Sequence, residues 1–239
     1  MKFLLSDIAR ICGGELLGED VQIGSVVTDS RNRLIGDDAL FVAMRGVNHD
    51  AHDFVEDMCQ RGVRGFMVER RVPLAAGCGA VLVEDALCAL QRLAAERRAR
   101  FGGVVVGVTG SNGKTVVKEW IAQSISRNVR LFRSPRSYNS QLGVALSLMM
   151  MEDECEVAII EAGISQPSEM ARLEAMIRPD VVIFTSMGDA HQNNFESCEA
   201  KIAEKLTLAD HAQRIIYDST GSEGRYGWFA TALRERFAD

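Results

Sequence analysis

The sequence predicts an α/β protein of two domains, because runs of β-branched apolar residues alternate with helical apolar patterns along most of the chain. Several short strands precede this alternation and predict a small mixed α/β domain in the first half. From Val104 onward each strand is followed by a helix, a pattern typical of a mostly parallel sheet. Gly102 and Gly103 separate the two patterns. We therefore expect domains over residues 1–102 and 103–239.

The composition is that of an ordinary globular protein: 47% of the 239 residues are hydrophobic and 25% are charged. Lys and Arg number 27 against 33 Asp and Glu, and the resulting net charge of −6 argues against a nucleic-acid partner. The six cysteines form no CxxC pair and have no histidine at zinc-ligand spacing, which indicates reduced thiols. No apolar run approaches the ~20 residues of a membrane span or the length of a signal peptide. We expect a cytoplasmic monomer that does not insert into a membrane.

In the first domain, the spacing of apolar residues predicts a helix over residues 2–12 that Gly13 and Gly14 stop. Asp85 is suited to cap a longer helix over residues 86–101. The remaining predicted elements are a helix over 52–61 and strands over 16–17, 21–23, 26–27, 40–44, 65–68 and 80–83.

Two polar stretches of this domain are candidates for function. Thr28-Asp29-Ser30-Arg31 leaves a strand and forms either a ligand contact or a solvated Asx-type turn. Arg97-Arg98-Ala99-Arg100 is a candidate anion patch, but positive charge at a helix C-terminus also complements the helix dipole. For this second stretch we favour a solvated helix face.

A glycine-rich loop opens the second domain. The stretch Thr109-Gly110-Ser111-Asn112-Gly113-Lys114-Thr115 follows an apolar strand and precedes a helical pattern. Gly110 and Gly113 let the backbone curl around phosphates, and Lys114 can place its charge against the β and γ oxygens. The hydroxyl of Thr115 is suited to Mg²⁺. The stretch predicts a nucleotide site in a P-loop-type domain, with ATP and Mg²⁺ as ligands.

This loop is a variant of the strict P-loop pattern. The pattern requires glycine at position 108, where this chain has Val108, and the upstream glycine is Gly107. The alternative is an ordinary glycine turn between a strand and a helix. The complete Gly-Lys-Thr context favours the phosphate site.

The rest of the second domain continues the alternation of strands and helices. The predicted helices cover residues 114–126, 141–151, 168–177, 197–210 and 228–237, and the predicted strands cover 104–106, 129–132, 157–160, 181–185 and 215–217.

Two polar residues follow buried strands of this domain. Glu161 ends the strand over 157–160, at the edge where α/β nucleotide enzymes hold Mg²⁺; the alternative is an edge carboxylate in water. His191 comes shortly after the strand over 181–185, although a single histidine is more often a structural hydrogen-bonding residue. Because parallel strands share their carboxyl edge, we expect both residues to lie near Lys114.

These motifs together resemble the Mur ligase family, whose members build the peptidoglycan precursor. The resemblance rests on the stretch Thr109 to Thr115, on Glu161-Ala162-Gly163, and on Gly188-Asp189-Ala190-His191 with Lys205 fourteen residues later. Within the family, the stretches 28–31, 40–54, 139–148 and 165–170 resemble the member that joins D-alanyl-D-alanine (D-Ala-D-Ala) to UDP-N-acetylmuramoyl-tripeptide. Some stretches also resemble a form of it fused to an alanine racemase.

The resemblance implies a role for each candidate residue. The first domain would bind the UDP part of the substrate through Ser30 and Arg31, and Asn139 would contact the muramoyl peptide. ATP would be bound by Thr109, Gly110, Ser111, Asn112, Gly113, Lys114 and Thr115, and Mg²⁺ by Thr115, Glu161 and His191. The catalytic residues would be Lys114, His191 and Lys205. Lys205 matches a lysine that CO₂ carbamylates, with Lys201 as the alternative, whereas the residues alone predict a solvated helix lysine.

The chain departs from the family in two respects. The Asn-x-Asn-Asn stretch of the family appears as Ser137-Tyr138-Asn139-Ser140, so the resemblance implies a peptide contact for Asn139 alone in this stretch. Family members also carry the rest of the ATPase domain and a further C-terminal domain, so we expect a fragment that does not ligate alone. Three alternatives are another Mur-type ligase, a folylpolyglutamate synthase, and a non-catalytic module that binds nucleotide and UDP-sugar. Folylpolyglutamate synthases usually have Gly-Lys-Gly-Ser where this chain has Gly113-Lys114-Thr115, which argues against that alternative.

Overall fold

The computed structural model describes residues 2–32, 35–46, 49–187 and 194–218. Its internal contacts divide the chain into two units, Met1–Arg97 and Arg98–Asp239. The predicted boundary after residue 102 lies close to this division, and the assignment of one ligand to each domain stays a prediction. No helix among the described residues is long and apolar enough to cross a bilayer.

The first unit is built on a mixed five-stranded sheet with strand order β2-β7-β6-β5-β4. Strand β2 is antiparallel to β7, and the other neighbours are parallel. These strands are β2 (Glu15–Gly18), β4 (Ser25–Val27), β5 (Ala39–Val42), β6 (Gly65–Val68) and β7 (Gly79–Leu82). The helices are α1 (Leu5–Cys12), α2 (Val55–Gln60), which follows a 3₁₀ turn over Ala51–Phe54, and α3 (Ala86–Ala99).

Every residue of the central strands β5 and β6 is buried. Their sequences are therefore continuous apolar runs, because a strand covered on both faces has no reason to alternate. Phe41 and Phe66 meet edge to face, with ring centroids 6.3 Å apart. Asp85 caps α3 as predicted, since its Oδ1 accepts a hydrogen bond from the Cys88 N–H at 2.7 Å.

The second unit is an α/β layer around a parallel five-stranded sheet with strand order β12-β11-β8-β10-β9. The strands are β8 (Val104–Thr109), β9 (Leu131–Arg133), β10 (Val157–Glu161), β11 (Val181–Phe184) and β12 (Arg214–Tyr217). The helices are α4 (Lys114–Ile125), α5 (Gln141–Met149), α6 (Glu169–Ile177) and α7 (Cys198–Leu206). Strands β10 and β11 flank β8 on either side and are parallel to it, so the carboxyl ends of β8, β10 and β11 lie at one edge of the sheet. The predicted mostly parallel α/β architecture is confirmed here.

Two local predictions are wrong in part. The helix predicted over residues 2–12 forms from Leu5, but it is preceded by a short strand, β1 (Phe3–Leu4), which pairs with β3 (Gln22–Ile23). At the end of α3 Ala99 and Arg100 are exposed as predicted, whereas Arg97 is only 1% exposed and Arg98 is half-buried.

Arg98 is half-buried because it has partners distant in sequence. It donates to the carbonyl of Ile177 at 2.9 Å and to Asp180 Oδ2 at 3.0 Å. Asp180 in turn accepts a hydrogen bond from the N–H of Val105 in β8. The predicted helix over 228–237 lies outside the described residues.

Candidate functional site

The glycine-rich loop joins the end of β8 to the start of α4, as predicted. Gly110 has φ +152° and Gly113 has φ +82°. A Cβ at Gly110 would lie 1.9 Å from Thr185 Oγ1, whereas a Cβ at Gly113 would meet nothing within 4 Å. Thr185 donates to the carbonyl of Asn112 at 2.7 Å, so the end of β11 fixes the outer part of the loop. The open space at Gly113 leaves backbone free to approach a ligand.

Lys114 is the first residue of α4, and its side chain folds back over the loop. Its Nζ donates to the carbonyls of Gly110 and Ser111 at 3.1 and 3.4 Å. Burial lowers the pKa of Lys114, and the nearby charge of Glu161 opposes this shift. Thr109, also predicted in the nucleotide site, is fully buried beneath the loop.

Glu161 is the centre of a buried polar cluster at the carboxyl end of β10, where it is 1% exposed. Its Oε2 accepts a hydrogen bond from Thr115 Oγ1 at 2.8 Å, and its Oε1 accepts one from Asn139 Nδ2 at 2.7 Å. Two residues predicted to bind Mg²⁺, Thr115 and Glu161, are thus in direct contact. The side chain of Asn139 donates to the same carboxylate, and its contact with the peptide substrate stays a prediction.

Lys118 belongs to the same cluster and is the functional candidate that the sequence analysis missed. It is fully buried, and its Nζ lies 3.5 Å from Glu161 Oε2. It also donates to the carbonyls of Ser134, at 2.8 Å, and Arg136. The only sequence signal is that Lys118 follows Thr115 by three residues on a helix, which puts both on one face.

A cavity of about 170 Å³ opens beside the loop. Three lysines line it, Lys114, Lys201 and Lys205, and the remaining lining residues include Asn139, Ser140, Ser165 and Glu169. Such a concentration of cations in a small polar cavity suits an anionic ligand.

Lys205 is buried at this cavity, so the prediction of a solvated helix lysine is wrong. It is 3% exposed, and its Nζ donates to the carbonyl of Gly110 at 2.5 Å. Burial, and then the positive charges of Lys114 and Lys201, lower the pKa of Lys205 to about 7. At neutral pH a large fraction of this side chain is therefore an uncharged amine.

Two hydrogen bonds fix the position of helix α7, which carries Lys201 and Lys205. Ser197 caps the helix by accepting the Ala200 N–H at 3.1 Å. Glu204 Oε1 accepts the N–H of Met170, in the first turn of α6, at 2.9 Å. Ser168, which precedes α6, makes no capping bond with its side chain, so Glu204 supplies the missing acceptor.

His191, predicted as a catalytic residue and metal ligand, lies outside the described residues. Within the described part of the chain, no group of three or more His, Cys, Asp or Glu side chains could hold a metal ion. The predicted metal ligands that the structure brings together are therefore Thr115 and Glu161.

The predicted UDP contacts lie in the first unit. The Arg31 N–H donates to Asp29 Oδ1 at 3.0 Å, which is the Asx-type turn considered above. The Arg31 guanidinium donates to the same carboxylate through Nε and Nη2. These hydrogen bonds lower the pKa of Asp29 to about 2. The carbonyl of Ser30 accepts a hydrogen bond from Arg61. The Arg31 and Asp29 side chains are largely exposed.

Comparison with known proteins identifies the family. A family model for the Mur ligase middle domain matches residues 108–218. The UDP-N-acetylmuramoyl-tripeptide–D-alanyl-D-alanine ligase of Bacillus subtilis is 32% identical over 212 residues, which cover 87% of this chain and 46% of that protein. This chain belongs to the Mur ligase family. The enzyme of the same name from Escherichia coli is 34% identical over 193 residues, covering 81% of this Mur ligase chain and 42% of the relative.

Solved Mur ligase structures have the same fold. MurF from Acinetobacter baumannii superposes with a TM-score of 0.85 at 26% identity, covering 99% of this chain and 51% of that one. MurF from Thermotoga maritima in complex with ADP superposes with a TM-score of 0.76 at 27% identity, covering 90% of this chain and 48% of that one. The chain spans about half the length of the relatives it matches.

Proposed function

We propose that this chain is the UDP-substrate domain and part of the ATP-binding domain of an ADP-forming carboxylate–amine ligase of peptidoglycan precursor synthesis. The whole enzyme joins D-Ala-D-Ala to UDP-N-acetylmuramoyl-tripeptide in the cytoplasm. One observation carries the proposal: Thr115, from the phosphate loop, and Asn139 both donate to the buried carboxylate of Glu161. It is supported by 32–34% identity to ligases of that name.

ATP and Mg²⁺ fit the residues at the loop. The backbone at Gly113 borders open space, and Lys114 supplies a cation that can turn from its own loop toward phosphate. A hydroxyl and a carboxylate are the hard oxygen donors that Mg²⁺ prefers, so Thr115 and Glu161 would hold it. When bound, Mg²⁺ neutralises charge on the transferring phosphoryl group. By resemblance His191 would hold a second ion.

The chain's own residues then act by positioning and charge. The substrate carboxylate attacks the γ-phosphorus of ATP and gives an acyl phosphate and ADP, and the amine of D-Ala-D-Ala then displaces phosphate to form the amide. No side chain acts as a nucleophile. Lys114 holds the phosphates in line with the attacking carboxylate and stabilises the charge of the phosphoryl group in transit.

Lys205 is proposed to carry a carbamate. CO₂ reacts with a neutral amine, forms an N–C bond and releases one proton, and the pKa of Lys205, about 7, makes that amine available. The product is an anion at the cavity, suited to support a second metal ion. Lys201 remains the alternative because it is equally buried at the same cavity.

Calorimetric titration of this chain tests the proposal, first with UDP-N-acetylmuramoyl-tripeptide and then with a non-hydrolysable ATP analogue and Mg²⁺. We expect both to bind, and the double variant Ser30→Ala/Arg31→Ala to lose the UDP compound alone. Arg10→Ala is the control, since Arg10 is an exposed arginine of the same unit. A folded chain that binds neither compound contradicts the proposal.

A further inference from the structure

We infer that Lys118 is a positioning residue that holds the Glu161 carboxylate and the segment 134–139 in one fixed arrangement at the nucleotide site. The inference rests on the proposed function, because the arrangement matters for the binding of ATP and Mg²⁺. Lys118 does not line the cavity, so it acts through Glu161 and Asn139 rather than on a ligand.

The first step of the argument is where the ammonium group of Lys118 lies. The side chain leaves α4 one turn after Thr115 and is 0% exposed. Its Nζ donates to the carbonyls of Ser134 and Arg136 and lies at ion-pair distance, 3.5 Å, from Glu161 Oε2. Lys118 therefore links the phosphate-loop helix to the segment after β9 and to the end of β10.

The second step is that the segment after β9 needs this support. Arg136 has φ +48°, a left-handed conformation that is unfavourable for a residue with a Cβ. Lys118 binds the carbonyl of this strained residue. Ser134 is fully buried and accepts the Glu161 N–H on its Oγ at 3.1 Å. Asn139, which donates to Glu161, follows three residues after Arg136.

The third step is electrostatic. Thr115 and Asn139 bind the Glu161 carboxylate but carry no charge. Among the described residues, Lys118 is the cation within ion-pair distance of Glu161. Glu119 Oε1 also lies 3.6 Å from Lys118 Nζ, but Glu119 is paired more closely with Arg133, at 2.8 Å. Without Lys118, the buried carboxylate would be left without a compensating charge at ion-pair distance, which disfavours its present position.

The test compares Lys118→Met with the wild-type chain in titrations of a non-hydrolysable ATP analogue, once with Mg²⁺ and once with EDTA. The measured quantity is the gain in affinity that Mg²⁺ gives. We expect Lys118→Met to lower this gain by about tenfold or more, the usual effect of losing a group that orients a metal ligand. The affinity in EDTA should change by less than about twofold on the same physical ground.

Two further variants complete the design. Lys2→Met is the matched control, because Lys2 is an exposed lysine of the other unit, and it should leave both affinities unchanged. Lys118→Arg keeps the charge but cannot reproduce all the contacts of Lys118. We expect it to lower the Mg²⁺-dependent gain in affinity as well, by a factor about threefold smaller than Lys118→Met does. If Lys118→Met does not fold, the test depends on Lys118→Arg alone. A Lys118→Arg chain whose affinity for the ATP analogue rises with Mg²⁺ as much as that of the wild type then overturns the inference.

The outcomes separate this inference from the proposed function. A folded Lys118→Met chain with the wild-type gain overturns the inference. An equal loss of affinity with Mg²⁺ and with EDTA also overturns it, because the role of Lys118 is then only structural. If the wild-type chain itself does not bind the ATP analogue, the proposed function fails instead.

Discussion

At the scale of single residues, Glu161 shows how a buried carboxylate is provided with partners. The side chain is 1% exposed, so its oxygens must find their partners inside the protein. Thr115 and Asn139 donate hydrogen bonds to its two oxygens, and Lys118 Nζ lies 3.5 Å from Oε2. In the proposed function these oxygens are the ones that would hold Mg²⁺.

We predict that Glu161→Gln abolishes the Mg²⁺-dependent gain in affinity for an ATP analogue and lowers stability. The amide has nearly the same shape but no charge, so Lys118 becomes a buried cation without its partner. The loss of one partner of a buried ion pair costs about 3 kcal/mol. Denaturant titration and calorimetry measure the two effects.

Glu154→Gln is the control for this variant, because Glu154 is an exposed glutamate of the same unit. It should change neither the stability nor the gain. A Glu161→Gln chain that is as stable as wild type and keeps its response to Mg²⁺ would contradict both the charge argument and the metal assignment.

At the scale of elements, the placement of α7 decides where Lys205 lies. The contact between Glu204 and the Met170 N–H joins α7 to the first turn of α6. A carboxylate at that position both accepts a bond from an otherwise orphan N–H and complements the helix dipole.

We predict that Glu204→Gln lowers the free energy of unfolding by about 1 kcal/mol, since the side chain can still accept a hydrogen bond but no longer complements the dipole. Glu204→Ala removes both effects and should cost about 2 kcal/mol. Urea titration of the two variants beside Glu154→Gln measures this. If the two Glu204 variants are equally stable, the hydrogen bond from the Met170 N–H contributes nothing to the free energy of unfolding.

The elements were largely predictable because their signals are local. Continuous apolar runs predicted the buried strands. Because parallel strands share their carboxyl edge, Thr115 and Glu161 were expected to lie close together, and Thr115 Oγ1 is 2.8 Å from Glu161 Oε2. The predictions failed where the deciding partner is distant in sequence. Arg98 donates a hydrogen bond to Asp180, and Phe3 pairs with Ile23. Nothing in the local sequence around either residue reports such a partner.

The site was predictable to the same extent. The loop carries its own signature, whereas Lys118 depends on a carbonyl offered by Ser134, from another element. The burial of Lys205 depends likewise on the loop carbonyl of Gly110, 95 residues away in the chain. Local pattern therefore predicted the residues proposed to hold the ligands, but not the buried groups that contact them.

At the scale of the whole molecule, the distribution of lysines is uneven. The chain has five, and Lys114, Lys118, Lys201 and Lys205 all lie in the phosphate-loop cluster or at its cavity. Lys114, Lys201 and Lys205 line one small cavity. Burial lowers the pKa of Lys114 and of Lys205, and the charges of Lys114 and Lys201 lower that of Lys205 further. Without an anionic ligand, this arrangement costs stability that a phosphate or a carbamate would restore.

The stability that the chain loses by burying Lys205 depends on pH. In the folded chain the pKa of Lys205 is about 7, and in the unfolded chain it is the ordinary 10.5. Between these values the unfolded state binds more protons, so stability rises with pH. From pH 6.5 to 8.5 the ligand-free chain should gain about 2 kcal/mol from this group. Above pH 9 the thiols oppose the trend, because the pKa values of Cys12 and Cys59 are raised to about 11.

We therefore predict that Lys205→Met stabilises the ligand-free chain at pH 6.5 and flattens the rise in stability between pH 6.5 and 8.5. Urea titrations in CO₂-free buffer at the two pH values measure the effect, with Lys2→Met as the control that keeps the wild-type slope. The sign of the slope is decisive, because a lysine stabilised by an anionic partner would give stability that falls with rising pH. If Lys205→Met keeps the wild-type slope, the buried amine is not the group that titrates, and Lys205 would enter the cavity as an ordinary ammonium ion rather than as the amine that CO₂ requires.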